Sequence, residues 1–258
     1  MTGQALLSVR GLTRDFRGFR AVDGVDLDVA PGSVHALVGP NGAGKTTLFN
    51  LLTGFLRPGA GRIELDGRDV TGLPPERMAR LGVARSFQIT SLFPRLSARE
   101  HLELALQSGS GLGWRFWRSA NLLRRYRART DELLDLVGLG EHADTAADAL
   151  AYGRKRALEL AIALALEPKV LLLDEPTAGM GLEDVDRTVD LIGRVREGRT
   201  VVLVEHNMSV VGRLADRVTV LRAGQVLVEG SYQEVRVDER VITAYLGVAT
   251  AGVDDAAG

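Results

Sequence analysis

At 258 residues with 45% hydrophobic content, the chain can bury a substantial core as one large domain or two small ones. Lys and Arg number 32 against 33 acids, a formal net charge of −1, so no overall basic excess points to nucleic acid and any anion site must be local. The absence of cysteine excludes a disulfide framework and thiolate chemistry and suits a reducing compartment.

The opening stretch MTGQALLSVR lacks a charged start followed by an apolar core, so no secretory signal is expected and the chain should stay inside the cell. From Val22 to Val29 the order VDGVDLDV alternates Val25, Leu27 and Val29 with acids, the period of a strand with one wet face. After the Pro31-Gly32 turn, VHALV (34–38) predicts a short apolar strand running into a glycine-rich loop. A helix is expected over 46–53, stopped by Gly54 and by Pro58-Gly59. RIELDG (62–67) predicts another alternating strand. Ser97-Ala98-Arg99-Glu100 has the spacing of a capping box, in which serine and glutamate satisfy orphan amides reciprocally, so a helix should start there. The region 97–166 reads as mostly helical, broken by SGSGLG (108–113).

Farther on, VLLLD (170–174) and TVVLVEH (200–206) are near-continuous apolar runs of the kind buried on both faces of a parallel sheet. No run reaches the roughly 18 apolar residues that span a bilayer. VTVLRAGQVLVEG (218–230) predicts a hairpin turning at Ala223-Gly224, followed by short helices ending near Leu246. The order implies one α/β architecture with a helical insertion rather than two independent domains.

Chemistry concentrates in a few places. GPNGAGKT, Gly39-Pro40-Asn41-Gly42-Ala43-Gly44-Lys45-Thr46, fits G-x-x-x-x-G-K-[ST] without a mismatch and has the strand before and helix after that the pattern requires. Glycines let backbone amides turn inward around a β-phosphate, Lys45 brings a compact charge to the β/γ oxygens, and the Thr46 hydroxyl can ligate Mg²⁺. Nucleotide binding is therefore expected, with Thr47 completing the loop. Asp174-Glu175 ends a buried strand, where two adjacent acids are expensive unless something cationic is near, and Mg²⁺ on a nucleotide would serve. Asp174 is then the candidate metal holder. Glu175 is the candidate base that orients and deprotonates an attacking water.

The phosphate loop, Phe87-Gln88, LAYGRKR (150–156), LLLDEPTAG (171–179) and EHN (205–207) occur in the order seen in ATP-binding-cassette (ABC) ATPases, and the sequence resembles that family from about Leu7 to Leu246. The helical insertion, the AYG motif and the ending VITAYLG resemble the ATPase subunits of branched-chain or hydrophobic amino-acid uptake systems. The resemblance implies a P-loop NTPase fold with a RecA-like core, an antiparallel β subdomain and a helical subdomain. Residues 1–246 would form one nucleotide-binding domain with the helical part inserted at about 90–165, and 247–258 a mobile tail.

By the same resemblance Phe16 is similar to the aromatic that stacks on adenine, the alternative being a core aromatic. Gln88 is similar to the loop glutamine that senses Mg²⁺ and relays to a membrane partner, and His206 to the switch histidine that contacts the γ-phosphate. Ala151, Tyr152, Gly153 and Arg154 would form the signature, whose helix points at ATP held by the opposite subunit. That would give the bases at Arg154, Lys155 and Arg156, unfavourable at a helix head, a polyanion to face; the alternative is that each turns to solvent or to the protein's own acids.

This signature departs from L-S-G-G-Q: Ala151 replaces serine, Tyr152 a glycine and Arg154 glutamine. The lost hydroxyl removes a bond worth about 0.5–1.5 kcal/mol. Gly181 stands where many relatives carry a polar residue, and both departures favour a heterodimer with a second, related ATPase. The implied function is ATP hydrolysis, with Mg²⁺, that powers import of branched-chain amino acids or related solutes. The implied partners are two permease subunits, an extracytoplasmic solute-binding protein and a second cassette, with no nucleic acid. The implied location is cytoplasmic, peripheral on the inner face of the plasma membrane. A lipid or lipopolysaccharide exporter and a soluble ABC ATPase of DNA repair or cluster assembly are the rival readings. Trp114, Phe116 and Trp117, interleaved with Arg115 and Arg118, could touch lipid headgroups or a permease, or pack on their own helical region.

Overall fold

The structure, a computed structural model, describes residues 5–86, 92–109 and 120–251. Two sheets organise it. The first is antiparallel, with strand order β2-β1-β4-β5, and is built from β1 (Leu7–Phe16), β2 (Phe19–Val29), β4 (Ala60–Leu65) and β5 (Arg68–Asp69). The alternation read in 22–29 becomes β2, with Val25, Leu27 and Val29 buried and Asp26 and Asp28 outward.

The second sheet has six strands in the order β10-β9-β3-β8-β7-β6. Its members are β3 (Val34–Val38), β6 (Val83–Ser86), β7 (Val170–Asp174), β8 (Thr200–Val204), β9 (Arg217–Arg222) and β10 (Gln225–Gly230). Five of these run parallel, and only β10 returns antiparallel to β9 through the expected turn, where Ala223 and Gly224 both take positive φ. Every residue of β3, β7 and β8 is buried, and in β7 and β8 the two-residue period sorts the apolar side chains between two cores, while Ala36 and Val38 of β3 join a third with Val218 and Val220. Leu171, Leu173, Val201 and Leu203 face one core; Val170, Leu172, Val202 and Val204 face the other. Each such Val or Leu contributes about 1.5–3 kcal/mol by leaving water.

The second of those cores is closed by α1 (Lys45–Leu52) and the antiparallel sheet. The first is closed by α3 (Ala98–Gly109), α4 (Ala120–Leu136), α5 (Tyr152–Ala165) and α6 (Leu182–Val195). A short α2 (Pro75–Arg80) precedes β6, while α7 (Met208–Leu214), α8 (Tyr232–Val237) and α9 (Glu239–Ala251) complete the chain. The capping box at α3 forms as expected: Ser97 N donates to Glu100 Oε2 at 2.7 Å and Glu100 N to Ser97 Oγ at 3.2 Å. The last helix runs on past Leu246 through Ala251. Residues 252–258 of the expected tail, most of the 108–113 break and the aromatic cluster 114–118 lie outside the described residues.

Candidate nucleotide site

The parallel strands bring the motifs together, because β3, β6, β7 and β8 all end on one edge of the sheet, where such folds bind ligands. From β3 the chain enters the phosphate loop at Gly39. A side chain there would bring Cβ to 2.2 Å from the Leu221 carbonyl oxygen of β9, and one at Gly44 would bring it to 2.4 Å from the Ala21 carbonyl oxygen of β2. Only glycine permits both approaches, at φ of +147° and +100°. Gly44 is also the N-cap of α1, which has no side-chain cap and no acid in its first turn, so its orphan amides and positive dipole end are available to an anion.

Lys45 opens that helix almost fully buried, its Nζ donating to the carbonyls of Gly39 (2.6 Å) and Pro40 (2.9 Å). Burial pulls its pKa below the ordinary lysine value, while the charges of Glu175 and Asp174 oppose that shift. Asn41, Gly42 and Thr46 are exposed along the loop, Ala43 is buried, and Thr47 is half-buried. The Thr46 hydroxyl makes no hydrogen bond to a described residue.

Asp174 and Glu175 emerge from β7 as expected, but the cation beside them belongs to the protein. Arg85, on β6, donates from Nη2 to Asp174 Oδ2 at 2.6 Å, in a pair whose side chains are only 11% and 1% exposed. Its Nη1 donates to Asn50 Oδ1 of α1 at 2.6 Å, and its guanidinium lies over the rings of Phe49 and Phe55. Asp174, the buried one of the two acids, therefore does not require Mg²⁺ to be tolerated. The site nevertheless fits that ion: among the described residues only Oδ2 of Asp174 is engaged, Thr46 adds a hydroxyl, and no all-protein cluster of three or more metal-ligating acids or histidines occurs. Hard oxygens supplied by one or two residues suit a Mg²⁺ held mostly by phosphate and water.

Glu175 has φ +47°, a left-handed conformation that costs a non-glycine residue about 1–3 kcal/mol. Its amide donates to the Val204 carbonyl at the end of β8, so the loops after β7 and β8 start side by side. His206 is exposed on the second of these loops. Phe16 belongs to the tip of the β1–β2 hairpin rather than to a core: the residue is 39% exposed, and the Arg14 guanidinium lies 4.9 Å from the centre of its ring. Gln88 lies outside the described residues.

The signature turns into α5 with Ala151 as N-cap and no side-chain cap. Tyr152 OH donates to the Ala178 carbonyl (3.1 Å), and Gly153 packs so close to Asp184 that a Cβ would lie 3.0 Å from its carboxylate. Two of the three bases turn inward. Lys155 Nζ donates to the Asp148 carbonyl at 3.2 Å, and Arg156 pairs with buried Glu159 at 3.0 Å while also donating to Tyr152 OH. Arg154 remains exposed. Two residues were given no role from the sequence: Arg85, which lies in no motif, and the fully buried Glu205, which opens the EHN motif beside His206. An acid closing the otherwise apolar run 200–204 was a readable signal for the second; the first had none.

Fold and site together define a P-loop cassette that binds and hydrolyses nucleoside triphosphate. The chain belongs to the ABC transporter family, which matches residues 22–178, and residues 225–251 match the branched-chain amino acid ATP-binding cassette transporter family. It is 41% identical to the high-affinity branched-chain amino acid transport ATP-binding protein BraF of Pseudomonas aeruginosa over 254 residues, 95% of this chain and 98% of that protein. It is 40% identical to the corresponding LivG of Escherichia coli (strain K12) over 253 residues, 95% and 99% of the two chains. Among solved structures it resembles an ATP-binding cassette of an ABC transporter in its ADP conformation, with TM-score 0.81, 26% identity, and 94% and 99% of the two chains covered. It also resembles a dimeric bacterial ABC transporter cassette, with TM-score 0.75, 25% identity, and 88% and 98% covered.

Proposed function

We propose that this chain is the ATP-hydrolysing subunit of an importer for branched-chain amino acids. Its near full-length likeness to BraF and LivG carries the reading. Residues 1–246 would act as one cassette, lying in the cytoplasm against the inner face of the plasma membrane and docked on two separate permease subunits fed by an extracytoplasmic solute-binding protein. No helix among the described residues is long and apolar enough to cross a membrane, in keeping with a division of labour between chains.

In the proposed cycle Phe16 stacks on adenine, while the amides of 39–47 and the Lys45 ammonium hold the phosphates. Bound Mg²⁺, held by Thr46 and Asp174 with Gln88 as a further candidate, would neutralise phosphate oxygens. Glu175 accepts a proton from a water whose oxygen attacks the γ-phosphorus; the bond to the bridging oxygen breaks, releasing ADP and phosphate. His206 contacts the γ-phosphate. Each chain has one phosphate loop and one signature, so Ala151-Tyr152-Gly153-Arg154 of a second cassette would close the site. Leu182, 87% exposed at the head of α6 near the signature, suits such a contact. Ala151 and Gly181, which lack the polar groups common at their positions, favour a related but different cassette as that partner.

The test is transport by vesicles holding the chain with its permease subunits and binding protein. ATP hydrolysis should rise when the binding protein carries leucine, isoleucine or valine. Stimulation by lipid instead, with none by these amino acids, would move the reading to an exporter.

A further inference from the structure

Glu205 follows β8 directly and is fully buried, with 0% exposure. A buried carboxylate needs compensation, and no Lys or Arg among the described residues forms an ion pair with it. Four hydrogen-bond donors from two loops supply the compensation instead. Oε1 accepts from the Thr177 amide at 3.2 Å and from the Thr177 hydroxyl, on the loop two residues after Glu175. Oε2 accepts from the His206 amide at 3.0 Å and the Asn207 amide at 3.1 Å. Each oxygen therefore serves a different loop.

We propose that Glu205 is a positioning residue for ATP hydrolysis, its two carboxylate oxygens locking the loop of Glu175 and the loop of His206 into one unit. The inference rests on the roles proposed above for those two residues. The chemistry demands an ionised carboxylate, because all four partners donate and an amide would turn an NH₂ group toward two of them. The geometry needs the lock, since the left-handed backbone at Glu175 persists only where surrounding contacts over-determine it. Alongside the Glu175–Val204 backbone bond, the Thr177 bonds to Glu205 fasten that loop to its neighbour. The unit reaches farther: the Tyr152 hydroxyl hooks the head of the signature helix onto Ala178, next to Thr177.

The test compares Glu205→Gln, Thr177→Val, Thr177→Ser and the Glu205→Gln/Thr177→Val double variant in the full chain, reading kcat and nucleotide affinity separately. Glu205→Gln and Thr177→Val should each lower kcat about 10- to 100-fold, the scale of a misplaced catalytic group, with nucleotide affinity kept. Thr177→Ser, which keeps the hydroxyl, should restore most of the turnover, and the double variant should be little worse than the poorer single one, as for residues acting as a unit. Should Glu205→Gln fail to fold, the Thr177 pair decides alone. Full turnover in Thr177→Val, equal loss in Thr177→Ser, or loss of affinity in parallel with kcat would overturn the proposal. Glu175→Gln serves as the control. If it stalls while the clamp variants turn over normally, only the clamp falls; if it hydrolyses like the unsubstituted chain, the reading of the site falls first and takes the clamp with it.

Discussion

The heads of α1 and α5 carry the two motifs that meet phosphate in the proposed cycle, and they are built on different plans. Both lack a side-chain cap and an acid in the first turn, so both leave amides and dipole to an anion. At α1 the neighbouring base, Lys45, rests on its own loop's carbonyls, where it can be handed to an incoming phosphate. At α5 two of the three bases are committed to Asp148, Glu159 and Tyr152 within the chain, so the dipole and exposed Arg154 carry what attraction the helix exerts. The comparison teaches that, in the proposed cycle, one end holds nucleotide and does the chemistry. The other is made to be held, through Tyr152 and Ala178, to the loop beside Glu175.

Substitutions should divide accordingly. Glu175→Gln should cut single-turnover hydrolysis about 10²–10⁴-fold while leaving ATP affinity intact; undiminished hydrolysis would break the assignment of chemistry to this end. Arg85→Leu strands Asp174 as a buried unpaired acid and should cost about 3–5 kcal/mol of stability, read from denaturant unfolding; a near-neutral result would mean that Lys45 alone suffices as countercharge. Lys45→Ala should weaken ATP binding about 10- to 100-fold by calorimetry, the loss expected for hydrogen bonds to a charged group. The smallest effect should come from Tyr152→Phe, which deletes the hydroxyl's bond to Ala178 and the bonds it accepts from Arg156, each worth about 0.5–1.5 kcal/mol, while Arg156 keeps its pair with Glu159. It should slow steady-state turnover a few-fold at unchanged ATP affinity, and a loss as large as that of Glu175→Gln would erase the distinction between the two ends.

Local signals made much of this legible. The phosphate loop, the buried strands 34–38, 170–174 and 200–204, the capping box at Ser97 and the hairpin at Ala223-Gly224 all depend on residues adjacent in sequence, and all appear where the pattern put them. What escaped was non-local. In β1 register shifts between Val9 and Leu12, and again on either side of Arg14, break the two-residue period, so this central strand of the antiparallel sheet shows no sustained alternation. The extent of α9 was missed because its small residues resemble a tail, although nothing there forbids a helix and a single interior glycine costs only about 1 kcal/mol. Arg85 is invisible as a functional residue until the sheet sets β6 beside β7. Phe16 was ambiguous between core and surface because aromatic character says nothing about which side of a hairpin tip it faces.

The strand that presents the phosphate loop has β8 on one side and β9 on the other, both drawn from the last third of the chain, and the loop's own Ala43 carbonyl accepts from the Gly224 amide. A polypeptide still emerging from the ribosome with its first 178 residues exposed would already carry every residue of that loop, yet it would have neither flanking strand to shape it. Competence to grip nucleotide therefore arrives late in synthesis, only after the C-terminal hairpin is available to fold against it.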